Sequence, residues 1–209
     1  MRSIRGCRGS TLKFHLSGMP MMGFCHCRSK AEAEGLRVAI ERRFAECGLE
    51  LSLQKTKIVY CKDSNRREDY PDQKFDFLGY TFRPRRAKER SENFFVSFIP
   101  AISDKAAKSL HDTMRRWQIH RRTDKSLDDL ARMFNPVLRG WINYYGSFYR
   151  SALYRTFQPL NNILAQWATR KYKRLRRHKR RACHWLECIV QRQPMLFAHW
   201  QLSQAKAGQ

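Results

Sequence analysis

The chain has 209 residues, enough for one sizeable domain or two small ones, and its 42% hydrophobic and 12% aromatic content argues against wholesale disorder. Its 42 Lys and Arg face only 18 Asp and Glu, a formal net charge of +24, which repels itself unless a polyanion such as nucleic acid neutralises it. No apolar run reaches the roughly 18–20 residues that span a bilayer, no secretory h-region follows the basic start, and seven scattered cysteines suggest no disulfide framework. A soluble, cytoplasmic protein with reduced thiols is expected.

The charge is uneven. Residues 1–100 hold 20 basic and 12 acidic side chains, residues 101–209 hold 22 and 6, and beyond Asp129 the only acid is Glu187. Residues 1–23 carry Gly6, Gly9, Gly18, Pro20 and Gly23 with little periodicity, and are expected to be irregular, a start foreign to the rest of the chain. From Lys30, Leu36, Ile40, Phe44 and Cys47 recur at helical spacing, and Gly48 stands where a left-handed cap would end an amphipathic helix of about five turns. Ile58-Val59-Tyr60-Cys61 is β-prone. Residues 75–82 and 94–99 read as two strands of a hairpin, joined by the basic connection Pro84-Arg85-Arg86-Ala87-Lys88-Glu89-Arg90, with Gly79 as a bulge or close approach.

After Pro100 the pattern is helical. Ser103 caps a helix with Ala106, Leu110, Met114 and Trp117 on its core face. Ser126 and Asp129 form a variant capping box ahead of Leu127, Leu130 and Phe134. Asn135-Pro136 reads as an N-cap and first residue of a further helix, which carries Val137, Leu138, Trp141, Ile142 and Tyr145 up to Gly146. Another stretch starts near Tyr149 and is punctuated by Pro159. The helix beyond it, with Leu160, Ile163, Leu164 and Trp167 on one stripe, is expected to run into residues 170–181, and a last helix to span residues 182–191. The fold class expected is α+β, mainly α.

Residues 170–181 contain nine Lys or Arg and no acid. A charge run is most simply a solvated face, yet like charges at i,i+4 spacing destabilise a helix, and a phosphate backbone removes that penalty while releasing counterions. Arg170, Lys171, Lys173, Arg174, Arg176, Arg177, Lys179, Arg180 and Arg181 are therefore candidate nucleic-acid contacts, with Tyr172 and Leu175 turned inward. In Arg139-Gly140-Trp141-Ile142-Asn143-Tyr144-Tyr145-Gly146-Ser147-Phe148-Tyr149-Arg150, rings interleave with Arg as in single-strand RNA binders. The spacing of Trp141, Tyr145 and Phe148 instead favours a core face, which leaves Arg139, Tyr144 and Arg150 as surface contacts. Cys25-His26-Cys27 and Cys183-His184 with Cys188 lack zinc-site spacing. Asp128-Asp129 and Glu68-Asp69 offer no sign of convergence on metal ions. No catalytic residue, metal or cofactor is assigned to this chain.

Beyond these features, the order Phe24-Cys25-His26-Cys27, Ala31-Glu32-Ala33-Glu34, Gly48-Leu49-Glu50-Leu51, Lys55-Thr56-Lys57, Phe75-Asp76-Phe77-Leu78-Gly79-Tyr80-Thr81-Phe82, Asn135-Pro136 and Arg139-Gly140-Trp141-Ile142-Asn143-Tyr144-Tyr145 resembles the C-terminal part of bacterial group II intron-encoded reverse transcriptase/maturases. The resemblance covers most of the chain, from about Phe24 onward. It implies a remnant of the polymerase palm over residues 24–100, with one helix and short antiparallel strands. Phe77, Leu78 and Gly79 resemble the primer-grip strand, and Lys55-Thr56 the block after the catalytic turn. Residues 101–209 would be a helical maturase-specific domain, also called domain X, matching the polymerase thumb. The family's Tyr-Ala-Asp-Asp turn has no counterpart: its place reads Met19-Pro20-Met21-Met22, and residues 1–31 hold no Asp or Glu.

What the resemblance implies is an RNA-binding fragment that docks on structured group II intron RNA and assists splicing, with reverse transcription lost. Mg2+ is implied only for a complete family polymerase or for the ribozyme. Other structured RNA and DNA are further candidate ligands. Two other readings stay open: a polymerase active only when an upstream reverse transcriptase fragment supplies the missing parts, and a non-functional relic.

Overall fold

In the computed structural model, which describes residues 10–15, 22–52, 54–65, 68–88 and 94–204, the fold is α+β and mainly helical. The chain forms two compact units, one of residues up to Phe77 with Thr81–Pro100, the other of Leu78–Tyr80 with Ala101–Gln209.

In the first unit, β1 (Ser10–His15) is the central strand of an antiparallel sheet between β2 (Met22–Cys27) and β3 (Lys57–Tyr60). Leu12 lies opposite Cys25 on one side and Ile58 on the other. This corrects the expectation of an irregular start for the described residues 10–15 and 22–23, while residues 1–9 and 16–21 lie outside the described residues. The ordering force is non-local: Leu12 and Cys27 are buried on one face of the sheet and Val59 on the other, from three separate segments, which no local window reveals.

Helix α1 (Lys30–Glu46) packs on this sheet with Ala33 buried and Leu36, Ile40 and Phe44 half-buried. The Ser29 hydroxyl accepts from the Glu32 N–H at its start. At its end Gly48 adopts φ +69, the Gly48 N–H donates to the Ala45 carbonyl, and the Leu49 N–H donates to the Phe44 carbonyl, a Schellman closure.

A second sheet runs β4 (Phe75–Phe77), β5 (Tyr80–Lys88), β6 (Phe94–Ile102). The single strand expected over residues 75–82 is broken at Leu78 and Gly79, whose φ values of +47 and +78 make the two-residue turn that matches hairpin twist. Phe75 and Phe82 stack across it at 4.8 Å. The basic stretch expected as a connection continues β5 through Pro84 to Lys88. Pro84 lies beyond the end of the three-residue β4, so its missing N–H leaves no ladder bond unmade on that side. The rest of that tip, residues 89–93, lies outside the described residues.

The second unit is helical: α2 (Asp104–Arg116), a 3-10 turn (Ile119–Arg121), α3 (Leu127–Tyr145), α4 (Arg150–Lys171), a 3-10 turn (Lys173–Leu175), α5 (Lys179–Arg192), a 3-10 turn (Ala198–Trp200) and α6 (Gln201–Gln204). Ser103 caps α2, and Ser126 with Asp129 forms a full capping box on α3, as their spacing predicts. The core joins Leu130, Leu138, Leu153, Phe157, Leu164, Trp167 and Phe197, all essentially inaccessible. Each such side chain contributes about 1.5–3 kcal/mol relative to exposure.

Three helix boundaries differ from the sequence reading. Asn135-Pro136 starts no new helix, because α3 passes straight through it. Pro136 and Arg132 are exposed, so the Arg132 carbonyl that loses its partner faces water. Asn135 is buried instead, and its amide donates to the Leu196 carbonyl at 2.8 Å and accepts from the Ala198 N–H at 2.9 Å. Likewise α4 continues through Pro159, with Arg155 exposed four residues earlier. It does not extend through residues 170–181, since Tyr172 turns to extended backbone and Leu175 is drawn into the core.

Candidate nucleic-acid interface

The basic run 170–181 is three structures in succession: the end of α4, a 3-10 turn, and the start of α5. Arg177 adopts φ +65 between the last two, a conformation uncommon outside glycine. Leu175 is buried, and Tyr172 packs against Trp167 (5.9 Å) and Trp185 (5.2 Å), so the apolar members of the run point inward as expected.

Its first two cations are not free. Lys171 is half-buried, lies over the Trp167 ring at 5.4 Å, and donates to the Thr123 carbonyl at 3.0 Å and to the Lys125 carbonyl. Arg170 donates to the His120 carbonyl at 3.4 Å. Beside them, Trp167 Nε1 donates to the Arg122 carbonyl at 2.9 Å. These cations stand in the last turn of α4, where they complement the helix dipole. Lys171 is thus tied into the packing of α4, whereas Arg170 keeps an exposed side chain beside its one hydrogen bond.

Lys173, Arg174, Arg176, Arg177, Lys179, Arg180 and Arg181 are all exposed, and among the described residues none of these side chains has an ion pair or a hydrogen bond. Three of them occupy the first turn of α5, which has no acidic residue there and no side-chain cap. Cations at a helix N-terminus oppose the dipole, and the free N–H groups there want an anion. One negatively charged ligand would relieve both defects.

The aromatic block divides differently from the basic run. Trp141 stacks between Trp117 (5.5 Å, 8°) and Phe157 (6.4 Å, 24°) against the core, and Tyr145 is half-buried, with burial pushing its phenol pKa up. Phe148 departs from the core expectation: it is 42% exposed and meets the Tyr80 ring edge-on at 5.5 Å. Tyr144 is exposed but committed. Its hydroxyl donates to the Leu78 carbonyl at 2.9 Å, and its own carbonyl accepts from Tyr80. Of the three expected surface contacts, Arg139 is exposed with no side-chain partner among the described residues, whereas Arg150 is exposed with its Nε directed at the Gly146 carbonyl at 3.4 Å. Phe77, Leu78 and Gly79 form a strand end and a turn. A Cβ on Gly79 would lie 2.9 Å from the Tyr145 hydroxyl.

Among the described residues no group of three or more His, Cys, Asp or Glu could hold a metal ion. Cys25 and Cys27 share one face of β2 while His26 points to the other. Asp129 serves the capping box, and its hydrogen bonds with Ser126 hold its carboxyl below the usual range. Asp69 is bonded to Lys62 and Gln73, which lower its pKa in the same way. No helix of the described residues is long and apolar enough to cross a membrane.

One grouping escaped the sequence reading: Asn161 of α4 receives hydrogen bonds from His199 and Trp200 on the floor of a cavity bounded by α5. Partners separated by 38 and 39 positions leave no periodic signal.

No curated protein matches the chain. A protein-family model, described as group II intron, maturase-specific domain, matches residues 107–185, from the first turn of α2 to the middle of α5. That stretch contains the capping box, the aromatic block and the whole basic run. The chain therefore carries a group II intron maturase-specific domain over residues 107–185.

Proposed function

We propose that this domain binds group II intron RNA and assists its folding and splicing, the RNA itself supplying the reaction chemistry. The observation that carries the reading is the set of seven exposed cations over residues 173–181 with no ion pair or hydrogen bond among the described residues, three of them set against the dipole of α5. Phosphates are their natural counter-charge, and contacts of this kind position a protein on RNA without reading sequence. The chain alone is no polymerase in this reading, since residues 1–31 offer no carboxylate where the family keeps its metal ligands.

Binding to group II intron RNA over a salt series is the test. The affinity should fall steeply, with a log–log slope of roughly −0.7 to −0.9 per phosphate engaged. Changing all seven to alanine should weaken binding to every RNA and flatten that slope by about 5. A flat salt response of the unaltered protein, or no binding near physiological salt, rejects the proposal. Primer extension with Mg2+ should show no incorporation by the chain alone. Incorporation only with an added upstream reverse transcriptase fragment would favour the split-polymerase reading.

A further inference from the structure

Beside the basic cluster lies a cavity of about 310 Å3 between α4, α5 and the 3-10 turn at Ala198–Trp200. That is the lower end of the range for small-molecule sites. Phe157, Leu186 and Val190 form apolar walls, and Gln158, Asn162 and Gln191 supply uncharged amides around them. Among the described residues these three amide side chains have no hydrogen-bond partner.

The floor is fixed in orientation. Asn161 Oδ1 accepts from His199 Nε2 at 2.9 Å and from Trp200 Nε1 at 3.0 Å. An indole N–H can only donate, so the amide oxygen must face the rings and the Nδ2 group must face away. That Nδ2 has no acceptor among the described residues, although Asn161 lines the cavity. His199 is itself buried, its Nδ1 has no partner among the described residues, and burial holds its pKa at about 3, so it remains a neutral ring that donates from Nε2.

The lining selects against phosphate. No Lys or Arg contributes to it, and Glu187, the only acid beyond Asp129, does. What fits is a flat, uncharged heterocycle with hydrogen-bonding edges. The cavity stripe of α5 runs through Cys183, Leu186, Glu187 and Val190, and Lys179 stands one turn earlier on the same stripe. One turn is about 5.4 Å, the scale of a single nucleotide.

We propose that this cavity receives one unpaired nucleobase of the bound RNA, with Asn161 Nδ2 donating to an acceptor on the base edge. The inference rests on the reading of residues 173–181 as the phosphate-binding cluster, and it adds a base-reading element to contacts that only position.

The probes are RNA hairpins identical except for a single unpaired base, tried with each of the four bases, beside the fully paired hairpin. The favoured bulged hairpin should bind about tenfold tighter than the paired one at equal salt. Gln191→Trp, which fills the mouth from an exposed position, should abolish that advantage and leave affinity for the paired hairpin unchanged. Asn162→Trp, from the α4 rim, should do the same if the first variant misfolds. Equal affinity for all hairpins, or an advantage that survives both tryptophans, overturns the proposal while leaving the phosphate cluster intact. Binding to no hairpin at all overturns the phosphate cluster and this proposal together.

Discussion

At the scale of single residues, His199 links the architecture most directly to solution conditions. Its ring is 2% exposed, packs between Phe157 and Phe197, and titrates only near pH 3, because burial disfavours the imidazolium. In the unfolded chain the same ring titrates near 6.5. The folded pKa is depressed, so the contribution to stability is complete above about 6.5 and erodes as pH falls, because only the unfolded state takes up the proton. The erosion should approach ~1.4 kcal/mol per pH unit between about 6 and 4. His199→Gln removes the titration while an amide N–H can still reach Asn161. Urea denaturation across this range should give a shallower pH slope for the variant by close to one proton. Parallel slopes would mean that the ring is hydrated in solution.

Secondary-structure elements show where local sequence is sufficient and where it is not. Ser103, Ser126 and Gly48 mark helix ends correctly because a cap is decided within four residues. The prolines mislead because propensity weighs against them, whereas Pro136 and Pro159 both leave a carbonyl on an exposed turn. The basic run was legible as charge, and the burial of Leu175 followed from its composition. The division of labour within the run was not, since Lys171 meets Thr123 and Lys125 only through the packing of α4. Lys171→Met should therefore cost about 1.5–3 kcal/mol of stability, the worth of hydrogen bonds from a charged donor. RNA affinity at a temperature where the variant is folded should change less than about twofold, in contrast with Lys173→Ala combined with Arg174→Ala. A stable variant with lost affinity would return Lys171 to the binding surface.

For the molecule as a whole, a net charge of +24 makes salt act with opposite sign on two measurements. Binding should weaken as salt rises, because released counterions lose their entropic advantage; six to ten phosphate contacts imply a loss of about 10^3 to 10^5 in affinity between roughly 50 and 200 mM. The free protein should behave in reverse. Its described ion pairs are few and exposed, each worth little, while the cations of residues 173–181 repel one another across two adjacent turns. Shortening the Debye length screens that repulsion, so the melting temperature of the unbound protein should climb over the same salt range, by about 2–4 °C for each kcal/mol of repulsion removed. Short polyphosphate should raise it further at low salt by occupying the cluster. This pairing separates electrostatic binding from a trivial loss of folded protein, which would make both curves fall together. A melting temperature that drops with salt would show that the cations are stabilised within the protein and have no need of an outside polyanion.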